Sequence, residues 1–127
     1  MEKLLAFHFD ETELFQLRQL AAAHKIRLEA VAATDYKQSL EALASDRKNP
    51  LTEPFTGEVP EENLLLLCDF SEKRLDKLLL SLRKSPVQVD FKAVLTPNNK
   101  QWNVLRLLLE LKAEKDAYER QRPLMEN

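Results

Sequence analysis

The two halves of this 127-residue chain carry the same order of apolar segments, and this repetition constrains the fold more than any other feature. Residues 4–9 form a short apolar run that predicts a buried strand, and leucines at helical spacing follow it. Residues 64–70 and the segment after them repeat that pattern. One constant offset relates the equivalent residues of the two halves: Leu5, Phe9, Glu11, Leu14 and Leu17 match Leu66, Phe70, Glu72, Leu75 and Leu78.

Each half is therefore predicted to be a strand–helix–strand–helix unit within a single domain spanning residues 1–127. The first half covers residues 1–45, a connector with three prolines and the only glycine covers 46–63, and the second half covers 64–122. Each helical link is long enough for a right-handed crossover between parallel strands. We predict an α/β fold made of a duplicated βαβα unit, with a four-stranded, mainly parallel sheet in the order 2-1-3-4 and helices on both faces. A ferredoxin-like α+β fold with antiparallel pairs is the alternative.

The helix starts are predicted from their capping residues. Asp10 and Ser71 are placed to cap the helices that follow the first and third strands. Thr34 or Asp35 is expected to cap the short helix of the first half. Thr96 followed directly by a proline predicts that the last helix starts at residue 97 and reaches residue 122.

The segment from Lys92 through Pro97, followed by Asn99 and Trp102, is similar to the signature of a small bacterial family. That family is catalogued only as a domain of unknown function, number thirty-seven eighty-three. Residues 65–76 also resemble it, and the resemblance extends from Asn63 to Tyr118. Asn98 departs from the Thr-Asn pair that the family usually shows at this point. The resemblance supports the fold and implies no activity, cofactor or catalytic residue.

Composition excludes several classes of protein. The formal net charge of −2, from 19 basic and 21 acidic residues, makes nucleic acid an unlikely partner. No run approaches the roughly 20 apolar residues that span a bilayer, so we expect a cytoplasmic protein without a membrane segment. A single glycine cannot build a dinucleotide-binding or phosphate-binding loop, and a single cysteine allows neither an internal disulfide nor a cysteine-rich zinc site. We therefore predict no cofactor and no metal.

Polar side chains are expected to collect where the strands end. Ligands in open α/β sheets bind beyond the carboxyl ends of the strands, at the point where the strand order reverses. A small anionic molecule could also meet the amide groups at the start of the last helix. The predicted ligand-binding residues are His8, Asp10, Asp69, Ser71, Thr96, Asn98 and Asn99.

Two residue pairs would suit an enzyme. His8 and Asp69 could act as an acid–base pair near neutral pH. Cys68 and His8 could form a nucleophile–base pair, but strand alternation points them to opposite faces. Both interpretations compete with structural roles, so the sequence leaves open whether the protein is an enzyme.

The last helix carries apolar residues over more than half of its circumference. Either it is covered on two sides within the fold, or it meets a partner. The second reading predicts a homodimer whose interface includes Val104, Leu107, Leu108, Leu111 and Tyr118. The sequence thus favours a non-enzymatic cytoplasmic protein that binds a protein or small-molecule partner as a dimer. The alternatives are a small-molecule sensor, a small enzyme using His8 and Asp69, and an RNA-binding module.

Overall fold

A computed structural model describes residues 2–125 of the chain, with side chains through residue 121. Its four strands form one open sheet in the order β2-β1-β3-β4, which confirms the predicted strand order. The strands are β1 (Lys3–Phe7), β2 (Arg27–Val31), β3 (Leu64–Cys68) and β4 (Phe91–Val94). The helices are α1 (Glu11–Ala23), α2 (Leu40–Ala44), α3 (Glu72–Lys84) and α4 (Val104–Met125), and a short 3-10 turn spans Ala33–Asp35.

Strand direction changes once across the sheet. β1 runs parallel to β2, and β3 runs parallel to β4, as expected of strands joined by crossover helices. The central strands β1 and β3 are antiparallel, with Leu5 opposite Leu66. The ferredoxin-like alternative requires most neighbouring strands to be antiparallel. In this sheet only the central pair, β1 and β3, is antiparallel.

The sheet separates two apolar layers. α1 and α3 cover one face, where Leu4, Leu17 and Leu78 are buried. α2, α4 and part of the connector cover the other face around Leu66 and Val104. Every residue of β1 and β3 is buried, which explains why both strands are nearly continuous apolar runs rather than alternating ones.

The predicted start of the last helix at Pro97 is wrong, because α4 begins at Val104. Thr96 accepts a hydrogen bond from the Asn99 amide at 3.2 Å, but it starts only a single turn. The carbonyl groups of Lys100 and Trp102 then accept from the first two amides of α2, at 2.9 and 2.8 Å. Because these carbonyls bond to α2, they do not continue the hydrogen bonds of a helix. α4 therefore begins after Asn103, whose side-chain oxygen accepts a hydrogen bond from the Arg106 amide.

Ser39 caps α2, so the caps expected at Thr34 and Asp35 are also wrong. Those two residues lie in the 3-10 turn that precedes the helix. Seven residues, which include this turn, separate the end of β2 from Ser39, and α2 is short, as expected.

The connector contains no helix or strand and lies against the sheet layer that holds α2 and α4. Its Phe55 ring stacks on Tyr36 with 6.0 Å between centroids. At its start, Asp46 accepts a 2.7 Å bond from the buried ammonium group of Lys3, which also donates to the Leu43 carbonyl at 2.9 Å. These contacts attach the connector to the first half.

Candidate functional site

Because β1 and β3 run antiparallel, their carboxyl ends lie at the two opposite edges of the sheet where the strands begin and end. His8 and Asp10 follow β1 at one edge, while Asp69 and Ser71 follow β3 at the other. Extending the register places Asp69 beside Glu2, six residues from His8 or roughly 20 Å at about 3.3 Å per residue. The expectation that these four residues meet at one edge is therefore wrong, and so is the proposed His8–Asp69 acid–base pair.

A pocket of about 250 Å³ lies at the carboxyl ends of β1 and β2, and we call it the strand-end pocket. His8 is exposed at its mouth, and Tyr36 is buried at its base. The pocket is close to the low end of the range typical of ligand sites, about 300–1,000 Å³. It is lined by Ala6, His8, Phe9, Leu14, Ala30, Val31, Ala33, Tyr36 and Val59.

The backbone turns sharply at His8 to form this pocket. His8 has a φ of 65°, in the left-handed region that few non-glycine residues occupy. Burial raises the pKa of the Tyr36 hydroxyl, and the nearby backbone amide of His8 lowers it by a smaller amount. The Tyr36 ring also meets Phe7 edge-on, with 5.7 Å between centroids. Tyr36 therefore stays protonated at neutral pH and holds the turn in place.

The ionisable groups lining the pocket are only the His8 imidazole and the Tyr36 hydroxyl. The other lining side chains are apolar, so the pocket suits an apolar body with one polar group near His8. Among the lining residues, only the Tyr36 hydroxyl could exchange a proton alongside His8, and burial raises the pKa of that hydroxyl, which makes it a weak acid near neutral pH. The arrangement suits binding.

The start of α1, next to the pocket, is already occupied by acidic side chains. Asp10 accepts the Glu13 amide at 2.7 Å, and Glu13 accepts the Asp10 amide at 3.2 Å in return. This reciprocal capping satisfies amide groups that a small anion would otherwise bind. Two carboxylates also repel an anion, so the site favours an uncharged ligand over the anionic one expected from the sequence.

At the opposite edge, Ser71 caps α3 by accepting the Arg74 amide at 3.3 Å. Asp69 is exposed and has a φ of 63°, close to that of His8. These residues keep their predicted place at the end of β3, but no pocket joins them to the strand-end pocket.

The predicted ligand residues near Thr96 have structural contacts instead. Asn99 is buried; its side-chain oxygen accepts the Thr96 amide at 2.9 Å, and its side-chain nitrogen donates to the Val94 carbonyl at 3.0 Å. Asn98, by contrast, is exposed. Asn99 therefore closes the end of β4, and both polar atoms of its side chain are engaged.

Cys68 is fully buried beneath the helices. Burial, together with the nearby charge of Asp69, raises the pKa of its thiol to about 12. The thiolate is the reactive form, so the sequence-based alternative of a nucleophilic cysteine finds no support.

We expect Cys68 to resist a thiol-specific disulfide reagent at mildly alkaline pH until the chain is unfolded. The comparison is the Asn98→Cys variant, whose added thiol should react within the mixing time because position 98 is exposed. Absorbance of the released chromophore in native buffer and in denaturant gives both rates. Prompt labelling of native Cys68 would contradict the buried thiol.

A larger depression of about 510 Å³ lies between the connector, β4 and α4. Lys112 and Glu62 form a 2.9 Å ion pair there, and the hydrogen bond from Lys112 lowers the pKa of Glu62. Acidic side chains outnumber basic ones five to two across its walls, so the depression carries net negative charge. Its lining residues are Glu61, Glu62, Asp90, Phe91, Lys112, Lys115, Asp116 and Glu119.

The side chains expected at a dimer interface on α4 are divided between core and surface. Val104, Leu107 and Leu108 are buried against the sheet, so they are not available to a partner. Leu111 is half-buried, and Tyr118 is 61% exposed. The broad apolar arc of the helix is thus explained largely by packing within the fold.

No group of three or more histidine, cysteine, aspartate or glutamate side chains within residues 2–125 is arranged to hold a metal ion. In that same part of the chain, no helix has the length and apolar character needed to cross a bilayer.

The fold defines a mixed four-stranded α/β domain with an open sheet and helices on both faces. A family model described as Domain of unknown function (DUF3783) matches residues 63–118, a segment that contains β3, α3, β4 and most of α4. This match confirms the resemblance read from the sequence. Neither a curated protein nor a solved structure matches the chain.

Proposed function

We infer that the protein is a non-enzymatic binding domain that holds a small, uncharged and largely apolar ligand in the strand-end pocket. The observation that supports this most directly is the lining of that pocket, which combines apolar walls with the single exposed imidazole of His8. Its position beyond the carboxyl ends of parallel β1 and β2 agrees with where open α/β sheets bind ligands. A cytoplasmic location stays a prediction from the sequence.

A homodimer through α4 has weaker support than ligand binding. Of the five side chains expected at its interface, three are buried in the core of the chain itself. Tyr118 and the neighbouring Leu109, which is 68% exposed, offer only scattered apolar surface. Native mass spectrometry of the full chain, purified without denaturation, reads the oligomeric state together with any co-purifying ligand.

We test the pocket by NMR titration of the full chain with indole, an uncharged apolar probe, and separately with acetate. Indole should shift the amide signals of His8, Ala30 and Tyr36, and acetate should not, because Asp10 and Glu13 repel an anion. The Ala30→Leu variant should abolish the indole shifts, because its larger side chain fills the pocket. The matched control is Ala22→Leu, which makes the same change on the exposed side of α1.

Three results would count against this function. They are pocket amides that do not shift with indole, larger shifts with acetate than with indole, and the same behaviour in Ala30→Leu and Ala22→Leu. A co-purifying anion in the native mass spectrum would favour the sensor alternative with an anionic ligand.

The finer description of the fold, a duplicated βαβα unit, is also a proposal. β1 and β3 start at Lys3 and Leu64, while the 13-residue helices α1 and α3 start at Glu11 and Glu72, so one offset of 61 positions relates both pairs of elements. The left-handed residues after the strands, His8 and Asp69, follow the same offset. Leu5 and Leu66, also 61 positions apart, face each other in the sheet, as a twofold axis between the halves requires.

A further inference from the structure

The outer edge of β4 exposes backbone groups that no other strand covers. The backbone amides of Phe91 and Leu95 point toward β3 and donate to the backbone carbonyls of Asn63 (3.2 Å) and Leu67 (2.9 Å). Alternate residues of a strand point their hydrogen-bonding groups to opposite sides, so Lys92 and Val94 direct theirs outward. β4 is therefore an edge strand that could accept another strand.

Three of the outward groups have no hydrogen-bond partner in the described part of the chain. They are the amide and carbonyl of Lys92 and the amide of Val94. The Val94 carbonyl differs, because Asn99 donates to it at 3.0 Å. The outer edge of β4 thus offers these three backbone groups to an added strand, and the bond from Asn99 to the Val94 carbonyl marks where they end.

An apolar groove of about 230 Å³ runs beside this edge, between β4 and α3. Val94 is 40% exposed there, although it is a large apolar side chain. A side chain of an added strand lying opposite Val94 would point to the same face of the sheet and reach the groove. The groove is lined by Leu67, Leu75, Leu79, Lys92, Ala93 and Val94.

Positive charge lies at the other end of the edge. Lys92 lines the groove and also the next depression along β4, where Arg83 joins it. Neither side chain forms an ion pair with any described residue. The carboxylate in that depression, Asp90, accepts the Asn63 amide at 2.9 Å. A carboxylate from outside would therefore complement Lys92 and Arg83.

A second copy of this chain fits the edge poorly. If two β4 strands paired with Lys92 opposite Lys92, like charges would face each other directly, which destabilises a strand pair. If they paired with Lys92 opposite Val94, each Lys92 would face an apolar side chain instead of a carboxylate, and each Val94 would face a charged one. The edge is better matched to a different, acidic strand.

We propose that β4 pairs antiparallel with an extended segment of a partner protein that carries, in order, an apolar residue, any residue and an acidic residue. The acidic residue lies opposite Lys92 and exchanges both backbone hydrogen bonds with it. The apolar residue lies opposite Val94 and enters the groove. Backbone pairing supplies affinity, and these two side chains supply specificity. This surface is separate from the strand-end pocket, so the proposal does not depend on the ligand proposed above.

The test is NMR titration of the full chain with three capped peptides of sequence SVLTEVS, SVLTKVS and SVSTEVS. The first carries the proposed pattern, the second reverses its charge, and the third removes its apolar residue. We expect SVLTEVS to shift the Lys92 and Val94 amide signals and to bind up to about fivefold more tightly than either control peptide. The Lys92→Glu variant should reverse the preference between SVLTEVS and SVLTKVS, whereas Lys84→Glu, the same charge change at an exposed site on α3, should leave it unchanged.

Several results would overturn the proposal. Two of them are β4 amides that do not shift up to the solubility limit of SVLTEVS, and equal binding of the three peptides. Stronger shifts with a short uridine oligonucleotide would indicate an RNA-binding surface instead. Shifts that depend on protein concentration alone would indicate pairing between copies of the chain. Indole shifts at the strand-end pocket serve as the independent readout of the proposed function.

Discussion

The Leu66→Ala substitution is expected to lower the free energy of unfolding by about 2–5 kcal/mol, the cost of removing a fully buried leucine from a packed core. Leu66 has no exposed surface and lies in β3 directly opposite Leu5, which is buried to the same extent. It also belongs to the apolar layer that holds Val104. The cavity left by the truncation lies where the two halves meet, so neighbouring side chains have little room to move into it.

Urea denaturation followed by far-ultraviolet circular dichroism measures this loss. The control is Leu109→Ala, the same substitution at a position that is 68% exposed on α4, and it should change stability by less than about 0.5 kcal/mol. A small effect at Leu66, or equal effects at both positions, would contradict the placement of the core.

The Asn99→Ala substitution should lower the free energy of unfolding by about 2–4 kcal/mol, because it leaves two polar backbone groups without their partners. The Thr96 amide loses its acceptor, and the Val94 carbonyl loses its donor. Water can compensate only in part, since Asn99 is 8% exposed and the turn around it is half-buried.

The adjacent Asn98→Ala variant is the matched control for this effect. Asn98 is exposed, and its replacement should change stability by less than about 0.5 kcal/mol. Thermal and urea unfolding of both variants would measure the difference. If both asparagines proved equally tolerant, the assignment of Asn99 as the residue that closes β4 would be wrong.

The approximate positions of most elements could be predicted because they follow from local patterns. The apolar runs of β1 and β3 mark strands buried on both faces. Asp10 and Ser71 cap α1 and α3 as expected, because capping depends on residues only three positions apart.

The start of α4 could not be predicted in the same way. Thr96 and Pro97 do carry the local signal of a helix start, and a single turn does form there. The helix stops because α2, some sixty positions earlier in the chain, takes the carbonyls of Lys100 and Trp102. A contact so distant in sequence leaves no trace in the pattern of the segment itself.

The candidate site was predicted only in part. His8 was identified because it ends a strand, and it does line a pocket. Tyr36 and Val59 were missed, because they come from a turn and from the connector, whose paths depend on tertiary packing rather than periodicity. Asp69 was assigned to the same site because strand order alone does not fix the relative direction of β1 and β3.

The antiparallel direction of β1 and β3 determines where the two proposed ligands would lie on the domain. Because β1 and β3 run in opposite senses, the strand-end pocket opens at one edge of the sheet, while the groove beside Val94 lies toward the other edge. A small molecule at the first and a peptide at the second would not compete for space. The buried central strands would stand between the two ligands, so one chain would hold both at once if both proposals hold.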